Sequence, residues 1–235
     1  MTQEKMTQRY DAVLFDLDGT LLDTLDDLTE SMNSVLVRMG HPPHERDAYK
    51  YFVGNGIRKL AQRCLPEKYQ DDDAVKSCME TMREEYGKRW AEKTRPYDGI
   101  PELLGSLQDL DIKKVVLSNK PDALTRVAVN HFLSEWRFDL IKGAIDGVPK
   151  KPDPVQAFEM AKMLHIPPAR FLYLGDTNTD MRTACAAGMT PIGALWGFRT
   201  ESELMESGAA HVIKRPEELL GLLMATKPTK QHENS

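Results

Sequence analysis

Cysteine is scarce in this chain. Cys64, Cys78 and Cys185 are the only three in 235 residues, and they stand far apart. No metal-type or redox-type pairing is visible among them, which argues against a disulfide scaffold or a zinc module. All three are expected to serve as small buried hydrophobes. An odd count without a framework fits a reducing compartment, so a cytoplasmic protein is expected. Long apolar runs are also missing, and nothing approaches the roughly 20 residues that cross a bilayer. The N-terminal stretch MTQEKMTQRY lacks the apolar centre of a secretory signal. Charge of one sign is weak, at a formal net of -5. A mild acidic balance disfavours nucleic acid or an anionic membrane as the main partner. There are no repeats and no low-complexity segment apart from the polar tail KPTKQHENS, which is expected to be disordered.

What remains is ordinary globular material, 41% hydrophobic and 29% charged. The length suits one sizeable domain, or a domain carrying a smaller insert. Ala12 to Phe15 is a continuous apolar run, as in a strand covered on both faces. Leu25, Leu28, Met32, Val35, Leu36 and Met39 then recur at helical steps, and Gly40 and Pro42 stop them. Further helices are expected from Ile57 to about Leu65, after the Gly54-Asn55-Gly56 turn, and from about Asp72 to Trp90. The pattern changes after Pro96. Strands are expected at 114–117, 171–174, 191–195 and 211–213, with helices at 100–110, 121–132, 154–164, 179–187 and 216–224. Alternation of this kind predicts an α/β fold, a Rossmann-like parallel sheet with helices on both faces. The helical block between the first two strands is too long for one crossover. It is expected to be an inserted small α-helical domain over 23–94, with the core formed by 1–22 and 95–228 and the tail by 229–235.

The stretch VLFDLDGTLL places Asp16 and Asp18 where the first strand ends and Gly19 allows a sharp exit. In open parallel sheets ligands bind beyond the carboxyl ends of strands. Two carboxylates there repel each other and are costly to bury, and a cation beside them would relieve that cost. A solvated pair acting as helix caps is the bland alternative. Other stretches converge on the same rim. Ser118 and Asn119 follow the strand VVL, and Gly175 and Asp176 follow FLYL. Asp180 lies one helical turn beyond Asp176, and Lys151 precedes Pro152-Asp153-Pro154. The residue types support phosphoryl chemistry. Mg²⁺ takes oxygen ligands, a carboxylate can attack phosphorus, and a second carboxylate can serve as acid and base. A hydroxyl and an ammonium can hold the phosphoryl oxygens.

These motifs resemble those of the haloacid dehalogenase superfamily of phosphohydrolases. FDLDGTLLDT is similar to its first motif, LSN to its second, KPDP to its third and GDTNTD to its fourth, in that order, from about Asp11 to Leu220. The resemblance implies Asp16 as nucleophile and Asp18 as general acid/base. It implies a Mg²⁺ cofactor held by Asp16, Asp176 and the Asp18 backbone carbonyl. Ser118 and Lys151 would bind the phosphoryl group, with Asn119 beside it. Asp180 would support the metal site, Thr20 would position the loop, and the helical insert would be a small cap over the site.

VGNGIRKL, SNK and WGFRTESEL resemble phosphoglycolate phosphatases within that superfamily. On that resemblance Gly54, Asn55 and Gly56 approach the substrate, and Arg58 or Lys59 pairs with its carboxylate. The expected partner is a small phosphorylated metabolite, and the expected assembly a monomer or homodimer. A sugar-phosphate mutase or a pyrophosphatase is the alternative. Phosphonate cleavage would need a cap lysine, for which Lys59 is the candidate. A dehalogenase has no need of Asp18. A non-catalytic binding protein would be expected to lose Asp16, Asp18, Lys151 or Asp176, and all four are present.

Overall fold

The strand Ala12–Phe15 is completely buried because it sits in the middle of a sheet that has helices on both faces. The structure, a computed structural model, describes residues 7–8 and 10–225. The tail expected to be disordered lies outside the described residues. In chain order the elements are β1 (Thr7–Gln8), β2 (Ala12–Phe15), β3 (Leu22–Asp23), α1 (Leu25–Arg38), α2 (Arg46–Phe52), α3 (Ile57–Cys64) and α4 (Asp72–Arg89). Then follow β4 (Arg95–Pro96), α5 (Ile100–Asp109), β5 (Lys113–Pro121), α6 (Asp122–Phe132), β6 (Leu140–Ala144) and α7 (Val155–Leu164). The chain closes with β7 (Phe171–Gly175), α8 (Asn178–Ala187), β8 (Thr190–Ala194), α9 (Glu201–Glu206), β9 (His211–Ile213), α10 (Glu218–Leu223) and β10 (Met224–Ala225).

Six strands form one parallel sheet in the order β6-β5-β2-β7-β8-β9. Period-two alternation divides β2 between two cores. Val13 and Phe15 pack with Val116, Leu172 and Leu174 on one face. Ala12 and Leu14 pack with Val115, Phe171 and Tyr173 on the other. Helices α5 and α10 cover the first face, and α7 and α8 the second. Apolar burial on this scale, at about 25 cal/mol per Å² removed from water, is the main force holding the layers together.

Helices α1 to α4 build a separate core. Met32, Leu36, Tyr49, Leu60, Cys64, Val75, Cys78 and Met82 bury against one another in it. The two chain crossings into this insert run side by side as the antiparallel pair β3–β4, with Leu22 opposite Pro96 and Asp23 opposite Arg95. Asp27 fastens the return crossing. Its buried carboxylate accepts from the Lys93 and Thr94 backbone amides at 3.0 and 2.9 Å and from the Thr94 hydroxyl at 2.7 Å.

Helices α2 and α9 and strand β6 are absent from the sequence expectation, as are the two-residue strands β1, β3, β4 and β10. Helix α2 buries only Tyr49, so its apolar periodicity is too thin to read. Strand β6 is a half-buried edge strand of sequence LIKGA, without the continuous apolar run of its neighbours. Helix α9 is a short helix with only Leu204 buried, and a Thr200–Glu203 capping box starts it. Cys64 and Cys78 are buried as expected, whereas Cys185 is exposed on α8, with its thiol turned to the Gly208 carbonyl at 3.4 Å.

Candidate active site

Three strand tips form the site. Asp16 leaves β2, Ser118 and Asn119 lie in the last part of β5, and Asp176 follows β7. Lys151 enters from the loop before α7, and Asp180 from the first turn of α8. Lys151 Nζ lies 2.9 Å from Asp16 Oδ1 and 2.7 Å from Asp180 Oδ1. All three side chains are buried. The other Asp180 oxygen accepts from the Thr177 amide and hydroxyl at 3.1 and 2.6 Å, so this carboxylate is fully engaged at the helix start. Asp176 accepts from the Thr20 hydroxyl at 2.8 Å and from the Phe198 amide at 2.9 Å.

Carboxylate oxygens of Asp16, Asp176 and Asp180 can all lie within 4.8 Å of one another. Such crowding should disfavour ionisation, and it does. Burial, with Asp180 adding to it, raises the Asp16 carboxyl to about 7 against the opposing pull of Lys151. Burial, followed by Asp180 and Asp16, raises Asp176 well above the usual carboxylate range. Lys151 shows the converse. Burial pulls its ammonium down, and Asp16 and Asp180 together more than offset this, so it is held well above its ordinary value. One buried ammonium among three buried carboxylates leaves the cluster short of positive charge. A hard divalent cation would offset that deficit, and the carboxylates of Asp16 and Asp176 are the groups that could hold it.

Close packing of the backbone makes the cluster possible. Gly19 has φ +90°, and a Cβ there would fall 2.3 Å from Asp176 Oδ2. Only glycine both adopts that conformation readily and leaves room for the carboxylate.

Asp18 points elsewhere. Its half-buried carboxylate pairs with Lys120, whose Nζ lies 2.9 and 3.3 Å from the two oxygens. Lys120 also donates to the Tyr86 hydroxyl of α4 at 2.8 Å. Burial opposes its charge, but Asp18 and Tyr86 overcome that and raise it above the ordinary lysine value. Sequence reading missed both residues. Lys120 follows directly on Ser118-Asn119, and β5 runs on through Pro121, which was the available signal. Tyr86 stands one helical step after Met82 and reads from sequence as one more apolar position of that helix.

The insert sits on this rim. Asn119 Nδ2 donates to the Gly54 carbonyl at 3.0 Å and the Lys151 carbonyl at 3.1 Å. Asn55 Nδ2 donates to the Thr179 hydroxyl at 2.8 Å. Gly56, at φ +84°, brings the start of α3 close enough that a Cβ would lie 3.5 Å from the Asn119 carbonyl. Arg199 donates to the Lys50 carbonyl and covers the Tyr51 ring at 4.9 Å. Between insert and rim lies a cavity bordered by Asp16, Asp18, Ser118 and Lys120 on one side and by Val53, Gly56, Ile57, Leu60 and Met82 on the other.

Of the residues singled out from sequence, Asp16, Asp18, Thr20, Ser118, Asn119, Lys151, Asp176 and Asp180 gather at the rim, and Gly54, Asn55 and Gly56 face them from the insert. Arg58 is not brought to the cavity. Its exposed guanidinium pairs with Asp72 at 2.5 Å, because the helical turn carries it to the outer face of α3. Lys59 is also on the outer face, bound to Gln62 at 3.0 Å.

A doubly covered parallel sheet, with clustered carboxylates and a buried lysine gathered at the carboxyl ends of its central strands, defines an α/β protein with a candidate active site there. The chain belongs to the haloacid dehalogenase-like hydrolase family, which it matches over residues 13–194. It is similar to the phosphoglycolate phosphatase of Pseudomonas savastanoi pv. phaseolicola, 30% identical over 205 residues, which span 86% of this chain and 75% of that one. It is also similar to the phosphoglycolate phosphatase of Aquifex aeolicus, 29% identical over 212 residues, or 90% of this chain and 95% of that one. The crystal structure of a protein from Lactobacillus delbrueckii subsp. bulgaricus superposes with a TM-score of 0.87 at 29% identity, covering 93% of this chain and 100% of that one. No helix among the described residues is long and apolar enough to cross a membrane.

Proposed function

We propose that this phosphoric monoester hydrolase is a Mg²⁺-dependent phosphoglycolate phosphatase working through an aspartyl-phosphate on Asp16. The observation that carries the reading is Lys151 Nζ held between Asp16 and Asp180 at 2.9 and 2.7 Å, with Asp176 beside them. The curated relatives named above support the choice of substrate.

In this reading Asp16 forms a bond from a carboxylate oxygen to phosphorus as the bond from phosphorus to the leaving oxygen breaks. Asp18 gives its proton to that oxygen. It then takes a proton from the water that attacks the phosphorus, releasing phosphate and restoring the Asp16 carboxylate. Ser118, Asn119 and Lys151 hold the phosphoryl oxygens as charge moves across them. Asp16, Asp176 and the Asp18 backbone carbonyl would hold Mg²⁺, which supplies charge neutralisation at the phosphoryl group. Thr20 holds Asp176 in place by its 2.8 Å hydrogen bond, and Asp180 does the same for Lys151. The insert, seated on the rim through Asn55 and Gly54, keeps bulk water from the intermediate. The few unpaired cysteines support a cytoplasmic setting.

The test is a panel of phosphorylated metabolites, each assayed with and without Mg²⁺ and ranked by kcat/KM. Metal-dependent turnover with 2-phosphoglycolate at the head of the ranking is the expected result. Several sugar phosphates ranking above it would overturn the substrate and leave the chemistry standing.

A further inference from the structure

The cavity between insert and rim is lined mainly by apolar side chains on the insert side, yet a substrate of the proposed kind carries a carboxylate on its leaving group. Only two cationic side chains border the cavity among the described residues, Lys120 and Arg83. Lys120 is already neutralised, with Asp18 at 2.9 Å and the Tyr86 hydroxyl at 2.8 Å. Arg83 has no ion pair and no hydrogen bond to any described residue. It stands on α4 three residues before Tyr86, so both project from the same helical face toward the cavity. The two basic residues that the sequence put forward, Arg58 and Lys59, are bound to Asp72 and Gln62 outside it.

We infer that Arg83 is the specificity-determining residue that receives the substrate's carboxylate. The inference rests on the phosphoglycolate reading above. A guanidinium suits the role because it offers two parallel N–H donors to a carboxylate and never loses its charge. Its place at the solvent edge of an otherwise apolar wall puts the charged end of a short substrate at the mouth and the phosphoryl group at the strand tips. Productive binding of an ester then depends on having an anion at the end remote from phosphorus.

The experiment compares 2-phosphoglycolate with ethyl phosphate, which has the same number of carbons and no carboxylate, for wild type, Arg83→Gln and Arg83→Lys. Arg83 is exposed, so neither change touches the core. In wild type, kcat/KM should favour phosphoglycolate. In Arg83→Gln that preference should fall about tenfold, the loss lying in KM rather than kcat, as expected for one charge-assisted contact. Arg83→Lys should recover part of it. Wild type without any preference for the carboxylated ester would overturn the phosphoglycolate reading, and Arg83 as reader with it. A wild-type preference left intact in Arg83→Gln would overturn the assignment of Arg83 alone.

Discussion

Lys120 Nζ stands 2.9 Å from the Asp18 carboxylate, and the same ammonium donates to the Tyr86 hydroxyl at 2.8 Å. A strand tip of the core is thereby joined to a helix of the insert through one buried lysine. Lys120→Met should leave Asp18 without its cation and lower kcat by roughly tenfold to a hundredfold, the scale of one charge-assisted hydrogen bond. Tyr86→Phe removes a single neutral partner and should cost less than about tenfold. Steady-state kinetics on both variants reads this directly, and an unchanged kcat in Lys120→Met would deny the linkage.

The metal-free protein should lose stability as pH rises across the Asp16 titration. Asp16 titrates from 3.8 in an unfolded chain to about 7 in the folded one, so the folded state binds more protons in that window. Stability then falls as pH increases from about 4 to 7. Asp176 is raised as well and acts in the same sense. Thermal melts in a chelator between pH 5 and 8 should therefore slope downward more steeply in wild type than in Asp16→Asn. Parallel slopes would count against a strained carboxylate at position 16.

Adding Mg²⁺ should reverse that loss. A ligand that binds only the folded state raises stability by RT ln(1 + [L]/Kd), about 2.7 kcal/mol at a hundredfold excess over Kd. Differential scanning fluorimetry should show a rising Tm with Mg²⁺ in wild type and little change in Asp176→Ala. An equal rise in both proteins would move the metal away from Asp176.

Gly19→Ala should be severe for its size. The positive φ costs an L-residue roughly 1–2 kcal/mol, and the new Cβ would meet Asp176 Oδ2 at 2.3 Å. A stability loss of at least about 2 kcal/mol in chemical denaturation, with turnover lost, is expected. A variant with wild-type stability would show that the loop has slack that its packing does not suggest.

The sheet strands with continuous apolar runs were readable because burial on both faces leaves an unbroken signature, as in AVLF and FLYL. The edge strand β6 and helix α2 were not, since each buries too little to imprint a period on the sequence. Asp16, Asp18 and Asp176 stood out because polar residues at the ends of buried strands need a reason to be there, and Lys151 because it stands directly before Pro152-Asp153-Pro154. The pairing of Lys120 with Tyr86 was illegible for the opposite cause. It joins residues far apart in the chain, and Tyr86 breaks no local pattern. Arg58 lies on the outer face of α3, since nearness in sequence to a glycine turn does not say which side of a helix a residue occupies.

In the proposed mechanism the Asp16 carboxylate itself takes the phosphoryl group. Borohydride reduction of the enzyme quenched during turnover of 2-phosphoglycolate with Mg²⁺, followed by peptide mass spectrometry, tests it most directly. An acyl phosphate at Asp16 would be reduced to homoserine at that position, and that product is expected there and nowhere else. Reduction found at Asp18 or Asp176, with Asp16 unmodified, would contradict it.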